Sequence, residues 1–172
     1  MTKAPLLAGF AAATLALAGC AKKAPEQLPP APTETGTSDT GAGGQPAAAG
    51  PGTQEHFTTA VGADNATVYF DTDKFDIDAE DAAKLQAQAR YFTQYTDVTF
   101  TVEGHADERG TREYNLALGE RRANAAKNYL VGLGIPEARI RTVSYGKERP
   151  VALDSSEAAW AQNRRAASVV IG

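Results

Sequence analysis

The residues best suited to chemistry lie in one stretch, Gly104 to Ala123, which reads GHADERGTREYNLALGERRA. A charged loop containing His105 and Asp107 leads into a helical pattern that carries Asn115 and Arg122. Asn115 and Arg122 are seven residues apart, almost two turns, so they share one face of the predicted helix. Because helical side chains lean toward the N-terminus, the Arg122 guanidinium is expected to point back toward Asp107.

A carboxylate and a guanidinium at one loop-to-helix junction support two interpretations. In the first, Arg122 binds a ligand carboxylate as a fork and Asp107 binds a ligand ammonium, with amides at the helix N-terminus adding affinity for anions. The complementary ligand is then an amino-acid-like zwitterion. In the second, Asp107 and Arg122 pair only with each other and fix the loop. The spacing alone leaves both open.

Gly119 lies between Asn115 and Arg122 on the same predicted helix face. A glycine inside a helix costs about 1 kcal/mol relative to alanine. Its position therefore indicates that something approaches the helix backbone closely there. Either a ligand or a neighbouring strand would meet that need.

The elements around this stretch predict an α+β fold in the order β-α-β-α-β-(short α)-β. Two long helices cover one face of a mixed four-stranded sheet, an α/β sandwich. Two βαβ units favour parallel pairing, and the short final connection favours an antiparallel or mixed edge. The second long helix is expected to bury an apolar stripe that includes Tyr114, Leu118, Ala125 and Tyr129. The predicted strands are Thr67–Phe70, Val98–Glu103, Arg141–Tyr145 and Arg165–Ile171, and the predicted helices are 79–93 behind an Asp78 N-cap, 112–133 and 157–162.

Composition narrows the classes of function. The chain has 172 residues, is 42% hydrophobic and carries a net charge of −4. An acidic protein is a poor candidate for broad nucleic-acid binding, which depends on Lys and Arg neutralising phosphates. No nucleic-acid partner is therefore expected, and any anion must be recognised by a few local arginines.

A hydrolase is the enzymatic alternative, with Glu103, Asp107 or Glu108 as acid and base, or a metal on His105. A zinc site usually needs three or four strong ligands. His56 lies at the edge of the predicted tether and Cys20 ends the N-terminal apolar run, so His105 stands alone among the stronger ligands. Carboxylates in a polar loop do not by themselves have the raised pKa of a general acid. The sequence therefore favours a binding module without catalysis or cofactor.

The N-terminal region predicts export and anchoring. Residues 1–19 have the charged, apolar and small-residue parts of a signal peptide, and the apolar run is too short for a typical membrane span. Leu17-Ala18-Gly19-Cys20 resembles a bacterial lipobox, which implies a lipid on Cys20. Ala21 is not the aspartate associated with inner-membrane retention, so the resemblance implies the outer membrane. Residues 20–55 are rich in Ala, Pro and Gly and predict a disordered tether, leaving 56–172 as the folded domain.

Four segments carry a family resemblance: VYFDTDKFDI, GHADERGTREYNLALGERRA, VSYGKERP and AAWAQNRRA. They resemble the peptidoglycan-associated lipoproteins, a branch of the OmpA-like domain family, over residues 66 to 172. The resemblance implies non-covalent binding of peptidoglycan through the diaminopimelate of its stem peptide. It also implies a domain in the periplasm of a Gram-negative bacterium that tethers the outer membrane to the wall. The implied partners are TolB and other Tol proteins, with roles in envelope integrity and constriction at division.

The resemblance also implies roles for individual residues. Asp107 and Arg122 match the residues that engage the diaminopimelate ammonium and carboxylate, and Asn115 matches one that shapes the pocket. The matches for the rim and a second loop are Phe70, Asp71, His105, Ala106, Asn163 and Arg164.

Overall fold

The computed structural model describes residues 50–171. The predicted signal peptide, the lipidation residue Cys20 and nearly all of the predicted tether lie outside the described residues. Between residues 50 and 171, no helix has both the length and the apolar character needed to cross a membrane.

Four α-helices and four strands make up this part of the chain. In chain order they are α1 (Gln54–Val61), β1 (Thr67–Tyr69), α2 (Ala79–Gln94), β2 (Phe100–His105), α3 (Arg112–Gly132), β3 (Ile140–Gly146), α4 (Glu157–Asn163) and β4 (Arg165–Val170). Short 3-10 turns cover Ala63–Ala66 and Glu137–Arg139. The predicted α+β class and the element order from β1 onward are confirmed.

The strands form one mixed sheet in the order β1-β4-β2-β3. Strands β2 and β3 are parallel and joined by α3, as predicted for that βαβ unit. The predicted edge position of β4 is wrong, because β4 lies between β1 and β2 and is antiparallel to both. The connection through α2 therefore skips one strand position, and the C-terminal strand fills it.

Helix α1 was not predicted, and it starts inside the segment expected to be a tether. Its N-cap is Thr53, whose side chain accepts a hydrogen bond from the His56 amide. Phe57 is fully buried, and the Gln54 side chain contacts β4. Gln54 Oε1 accepts from the Val170 amide at 2.7 Å and Nε2 donates to the Ser168 carbonyl at 3.5 Å. Ordered structure thus begins before His56.

The aromatic core joins α1, α2 and β2. The rings of Phe92 and Phe100 stack with centroids 3.6 Å apart, and the rings of Phe57 and Phe92 stack at 5.1 Å. All three side chains are almost completely excluded from solvent. They hold α2 against the sheet at the end remote from the charged loop, which leaves that loop to be positioned by α3.

The predicted apolar stripe on α3 is wrong. Tyr114 is 43% exposed, and of the stripe residues named above only Leu118 is buried. The buried face instead consists of Asn115, Leu118, Gly119, Arg122, Ala123, Ala126 and Leu130. This face contains only two large apolar side chains, both leucines, beside three small residues and two polar ones, so hydrophobic periodicity could not identify it.

Helix α3 passes unusually close to β2 at two glycines. A Cβ on Gly104 would overlap the main-chain carbonyl of Gly119, and a Cβ on Gly119 would lie 2.9 Å from the Gly104 oxygen and overlap Ser144 Oγ. The Ser144 hydroxyl also donates to the Leu116 carbonyl at 2.7 Å. Of the two explanations open for Gly119, the close approach of a neighbouring strand accounts for it.

Candidate functional site

A cavity of about 290 Å³, here called the central pocket, lies where β2 leads into α3. Its size is at the lower end of the range for small-ligand sites. Asp107, Arg122, Asn115 and Ala106, all predicted site residues, contribute to its wall. The remaining lining residues are Thr72, Asp73, Arg109, Gly110, Tyr114 and Leu118.

The loop between β2 and α3 is fixed at both ends. The Ala106 amide donates to the Gly146 carbonyl at 2.8 Å, which continues the contact between β2 and β3. At the other end, Thr111 caps α3 by accepting from the Tyr114 amide. Lys147 Nζ donates to the carbonyls of Glu108 and Gly110, at 3.0 and 2.7 Å. Asp107 is therefore held by the main chain on either side.

Asp107 is buried and surrounded by arginines. Arg109 donates through Nε to Oδ1 at 3.0 Å and through Nη2 to Oδ2 at 2.7 Å. Arg164 Nη1 lies 3.5 Å from Oδ2. Burial raises the pKa of Asp107, but the hydrogen bonds and charge of Arg109, joined by Arg164, outweigh it and hold that pKa below its ordinary value. Asp107 is a carboxylate at neutral pH.

Arg122 is buried completely yet forms part of the pocket wall. Its Nε, Nη1 and Nη2 donate to the carbonyls of Lys74, His105 and Asp71, at 2.9, 2.9 and 3.1 Å. These bonds use three of the five guanidinium N–H groups and leave one on each terminal nitrogen. Burial and the nearby charge of Arg164 lower the pKa of Arg122 to about 10, so it remains a cation at neutral pH.

Asp107 and Arg122 do not form an ion pair in the described part of the chain. Asp107 contacts Arg109 and Arg164, while Arg122 contacts main-chain carbonyls. The interpretation in which the two pair only with each other is therefore wrong. Both side chains line the central pocket, and each is held by a different set of partners.

Asn115 fixes the loop between β2 and α3 through its side-chain amide. It is 2% exposed, and its Nδ2 donates to the Arg109 carbonyl at 2.8 Å. Because Asn115 also lines the central pocket, it shapes the cavity through the backbone of the loop.

Phe70, Asp71 and Arg164 line a second cavity of about 370 Å³ that is rich in acidic residues. The segment 70–74 separates the two cavities, since Phe70, Asp71 and Lys74 line the second cavity and Thr72 and Asp73 line the central pocket. Arg164 links the two sites, since its Nε donates to the Phe70 carbonyl at 2.9 Å and its Nη1 approaches Asp107. The Phe70 ring lies 5.2 Å from the Arg122 guanidinium, and Asp71 is exposed and paired with Lys74.

Asn163 lines neither of these cavities. Its Oδ1 accepts from the Val151 amide at 2.8 Å and the Ala152 amide at 3.2 Å, and its Nδ2 donates to the Ala152 carbonyl at 2.7 Å. Asn163 therefore fixes the loop between β3 and α4.

The His105 side chain also lies outside both cavities, and only its carbonyl contacts Arg122. The imidazole is 2% exposed, and neither ring nitrogen has a hydrogen-bond partner in the structure. Burial, followed by the charges of Arg165 and Arg149, lowers the pKa of His105 to about 4. Glu103 Oε2, at 3.7 Å from Nε2, is too distant for a hydrogen bond and does not reverse that shift.

This shift predicts a loss of stability in mild acid. Between pH 6.5 and about 4 the unfolded chain protonates His105 and the folded chain does not, so the unfolding free energy falls as pH falls. The contribution of this group approaches about 3 kcal/mol across the window, at about 1.4 kcal/mol per pKa unit. Urea unfolding of the wild type and His105→Gln at several pH values measures it. The variant should show the shallower pH dependence, and equal slopes would contradict the assignment.

Sequence reasoning missed Arg109 and Trp160. The Arg109 guanidinium lies 4.2 Å from the Trp160 ring centroid, and the Trp160 indole N–H donates to Glu108 Oε1 at 2.9 Å. The position of Arg109, two residues after Asp107, was a usable signal because a long cationic side chain there reaches the carboxylate. Nothing local indicated that α4 would bring Trp160 to it.

Comparisons with known proteins agree with this architecture. The OmpA family model matches residues 69–164. The peptidoglycan-associated lipoprotein of Rhizobium meliloti is 50% identical over 159 residues, covering 92% of this chain and 84% of that protein. That of Haemophilus influenzae is 51% identical over 100 residues, covering 58% and 65%.

Two solved structures also match the fold of this chain. The crystal structure of the peptidoglycan-associated lipoprotein from Burkholderia pseudomallei matches with a TM-score of 0.59 at 47% identity, covering 60% of this chain and 88% of that one. The cell wall anchor of the T6SS from Pseudomonas aeruginosa shares the fold, with a TM-score of 0.57 at 19% identity over 72% of this chain and all of that one. With the family model matching more than half of its length, the chain belongs to the OmpA family.

Proposed function

We propose that this protein binds peptidoglycan without cleaving it, by holding the zwitterionic end of diaminopimelate in the central pocket. The observation that carries the proposal is that Asp107 and Arg122 line one cavity and each retains its charge at neutral pH. The ligand ammonium would pair with Asp107, and its carboxylate would accept from the two Arg122 N–H groups not used by the backbone. The names of the relatives support peptidoglycan as the partner.

The lowered pKa values of Asp107 and Glu108 argue against the hydrolase alternative. A general acid at neutral pH needs a raised pKa. The pKa of Asp107 is lowered by Arg109 and Arg164 despite burial, and that of Glu108 is lowered by hydrogen bonds from Ser155 and Trp160. These groups are suited to holding a cation rather than to donating a proton.

Asp107→Asn tests the proposed site. The substitution keeps the shape and removes the charge, so we expect binding to diaminopimelate-containing sacculi to weaken at least about 30-fold, as for loss of one partner of a buried charge pair. The measurement is cosedimentation of purified protein with sacculi. Sacculi with lysine at the third stem position should bind weakly, because lysine lacks the second carboxylate that Arg122 would hold.

Glu113→Gln is the matched control, since Glu113 is exposed on the first turn of α3 and does not line the pocket. It should bind sacculi as the wild type does. Unchanged binding by Asp107→Asn would remove Asp107 from the site.

The proposal extends to anchoring. A lipid on Cys20 and a flexible segment between Cys20 and the start of α1 would hold the domain to the outer membrane, facing the periplasm, while the pocket holds the wall. TolB and other Tol proteins are proposed partners in envelope integrity and in constriction at division. The lipobox and the names of the relatives support the lipid anchor and the wall as partner, whereas the Tol partners rest on the family resemblance alone. Loss of fractionation with the outer membrane on Cys20→Ser is the test of the anchor.

A further inference from the structure

We propose that Arg109 is a specificity-determining residue, because in the free protein it occupies the position on Asp107 that a ligand ammonium takes on binding. The inference rests on the proposed function of the central pocket. It adds that the ligand ammonium replaces the Arg109 guanidinium on the Asp107 carboxylate.

The contacts of Asp107 leave no position for a cationic donor that is free of both hydrogen bonds and a facing cation. A carboxylate offers about four lone-pair positions, two on each oxygen. Oδ1 is approached by the Arg109 amide at 3.1 Å and by Arg109 Nε at 3.0 Å. Oδ2 accepts from Arg109 Nη2 at 2.7 Å, and Arg164 Nη1 faces it at 3.5 Å as an ion pair without a hydrogen bond. Arg109 thus fills three of the four positions, and the fourth faces the Arg164 cation, which repels an ammonium. An incoming ammonium must therefore displace one of the two arginines.

Arg109 is the group able to leave. Its side chain is 40% exposed, whereas that of Arg164 is 7% exposed and is also held by the Phe70 carbonyl and Glu157. The main-chain amide of Arg109 is fixed by the loop. Displacing the Arg109 guanidinium thus breaks the fewest buried contacts.

A second position for the guanidinium is already present. Glu157 Oε2 lies 4.0 Å from Arg109 Nη1, and the Trp160 ring lies beneath the guanidinium at 4.2 Å. Glu157 binds Arg164 through its other oxygen, Oε1. A turn of Arg109 over the Trp160 face toward Glu157 therefore keeps the cation paired and stacked, and Asp107 becomes free for the ligand.

This exchange affects selectivity as well as affinity. A ligand whose amine is blocked leaves Arg109 in place and therefore leaves no buried carboxylate unpaired. Without the Arg109 side chain, an ammonium meets no competitor, whereas an amine-blocked ligand leaves Asp107 with Arg164 alone. Removing Arg109 should thus tighten binding of the zwitterion, widen its discrimination from the blocked analogue and lower the stability of the free fold.

Titration calorimetry with two probes tests the inference: a diaminopimelate-containing muropeptide and the same muropeptide with the diaminopimelate amine acetylated. Arg109→Gln should bind the unmodified probe up to about fivefold tighter than the wild type, the range expected when one partly exposed ion pair is removed. The ratio between the two probes should increase, and the melting temperature should fall. Arg109→Lys, with one point charge in place of a fork, should lie between the two in affinity.

Arg112→Gln is the control for net charge, because Arg112 is exposed, pairs with Glu148 and does not line the pocket. Its affinities should stay near those of the wild type. Trp160 is the only tryptophan, so its fluorescence reports the exchange directly. The muropeptide should change the emission of the wild type more than that of Arg109→Gln.

The outcomes separate the two proposals. If the wild type binds the muropeptide and both Arg109 variants bind it equally or more weakly, the exchange is wrong and the proposed function stands. If the wild type and both variants fail to bind it, the proposed function fails and the exchange fails with it.

Discussion

Arg122→Leu should lower the unfolding free energy by about 4 kcal/mol, the scale for removing one member of a buried charged network. The guanidinium is fully buried and donates to the carbonyls of Lys74, His105 and Asp71. These bonds tie the segment after β1 and the end of β2 to α3. Leucine offers no donors, so three carbonyls lose a partner. Urea unfolding monitored by circular dichroism measures the loss.

Arg121→Leu is the matched control because Arg121 is the adjacent, exposed residue on the same helix. Its substitution should change stability by less than about 1 kcal/mol. Equal stability of the two variants would show that the buried network is unimportant. The result also matters for binding studies, since a variant at Arg122 would lose the proposed wall binding partly through its fold, whereas Asp107→Asn reports on the pocket.

Gly104→Ala should destabilise the domain by about 3 kcal/mol, the upper range for inserting a methyl group into a packed core. The new methyl would overlap the Gly119 carbonyl and lie 3.1 Å from the Ala123 side chain, so α3 would have to move away from β2. Since α3 carries Asn115 and Arg122, the displacement would also open the central pocket. Thermal and urea unfolding would register both the loss of stability and any loss of cooperativity.

Gly132→Ala provides the opposite expectation with the same chemical change. Gly132 lies in the last turn of α3, and a Cβ there would meet nothing within 4 Å. The substitution should leave stability unchanged or raise it by up to about 1 kcal/mol, because alanine favours the helix. A comparable loss at both glycines would mean that close packing at Gly104 is not the cause.

The order of elements and the key pocket residues could be predicted because they depend on local signals. The Asp78 cap, the helix spacing of Asn115 and Arg122 and the loop position of Asp107 all follow from short stretches of sequence. The proposed diaminopimelate ligand follows from the family resemblance and not from residue spacing.

The errors arose where long-range packing decided the outcome. The buried face of α3 contains Arg122 and Asn115 and leaves Tyr114 partly exposed, so an apolar pattern indicated the wrong face. The pairing of β4 with β1 joins residues about a hundred positions apart in the chain, and its pairing with β2 joins residues more than sixty positions apart, which strand patterns do not encode. The proposed role of Arg109 depends on Trp160 and Glu157, which α4 places beside its guanidinium, and no local sequence pattern indicates that contact.

The contact of Gln54 with the end of β4 has a mechanical consequence. Gln54 binds Val170, which pairs with Phe100, whereas Asp107 follows the opposite end of β2 at His105. The two ends are separated by five residue steps, about 17 Å of strand. A pull between the chain preceding Gln54 and a ligand in the central pocket therefore runs along the strands. It loads the perpendicular hydrogen bonds between β2 and β4 together in shear, instead of peeling them apart one at a time.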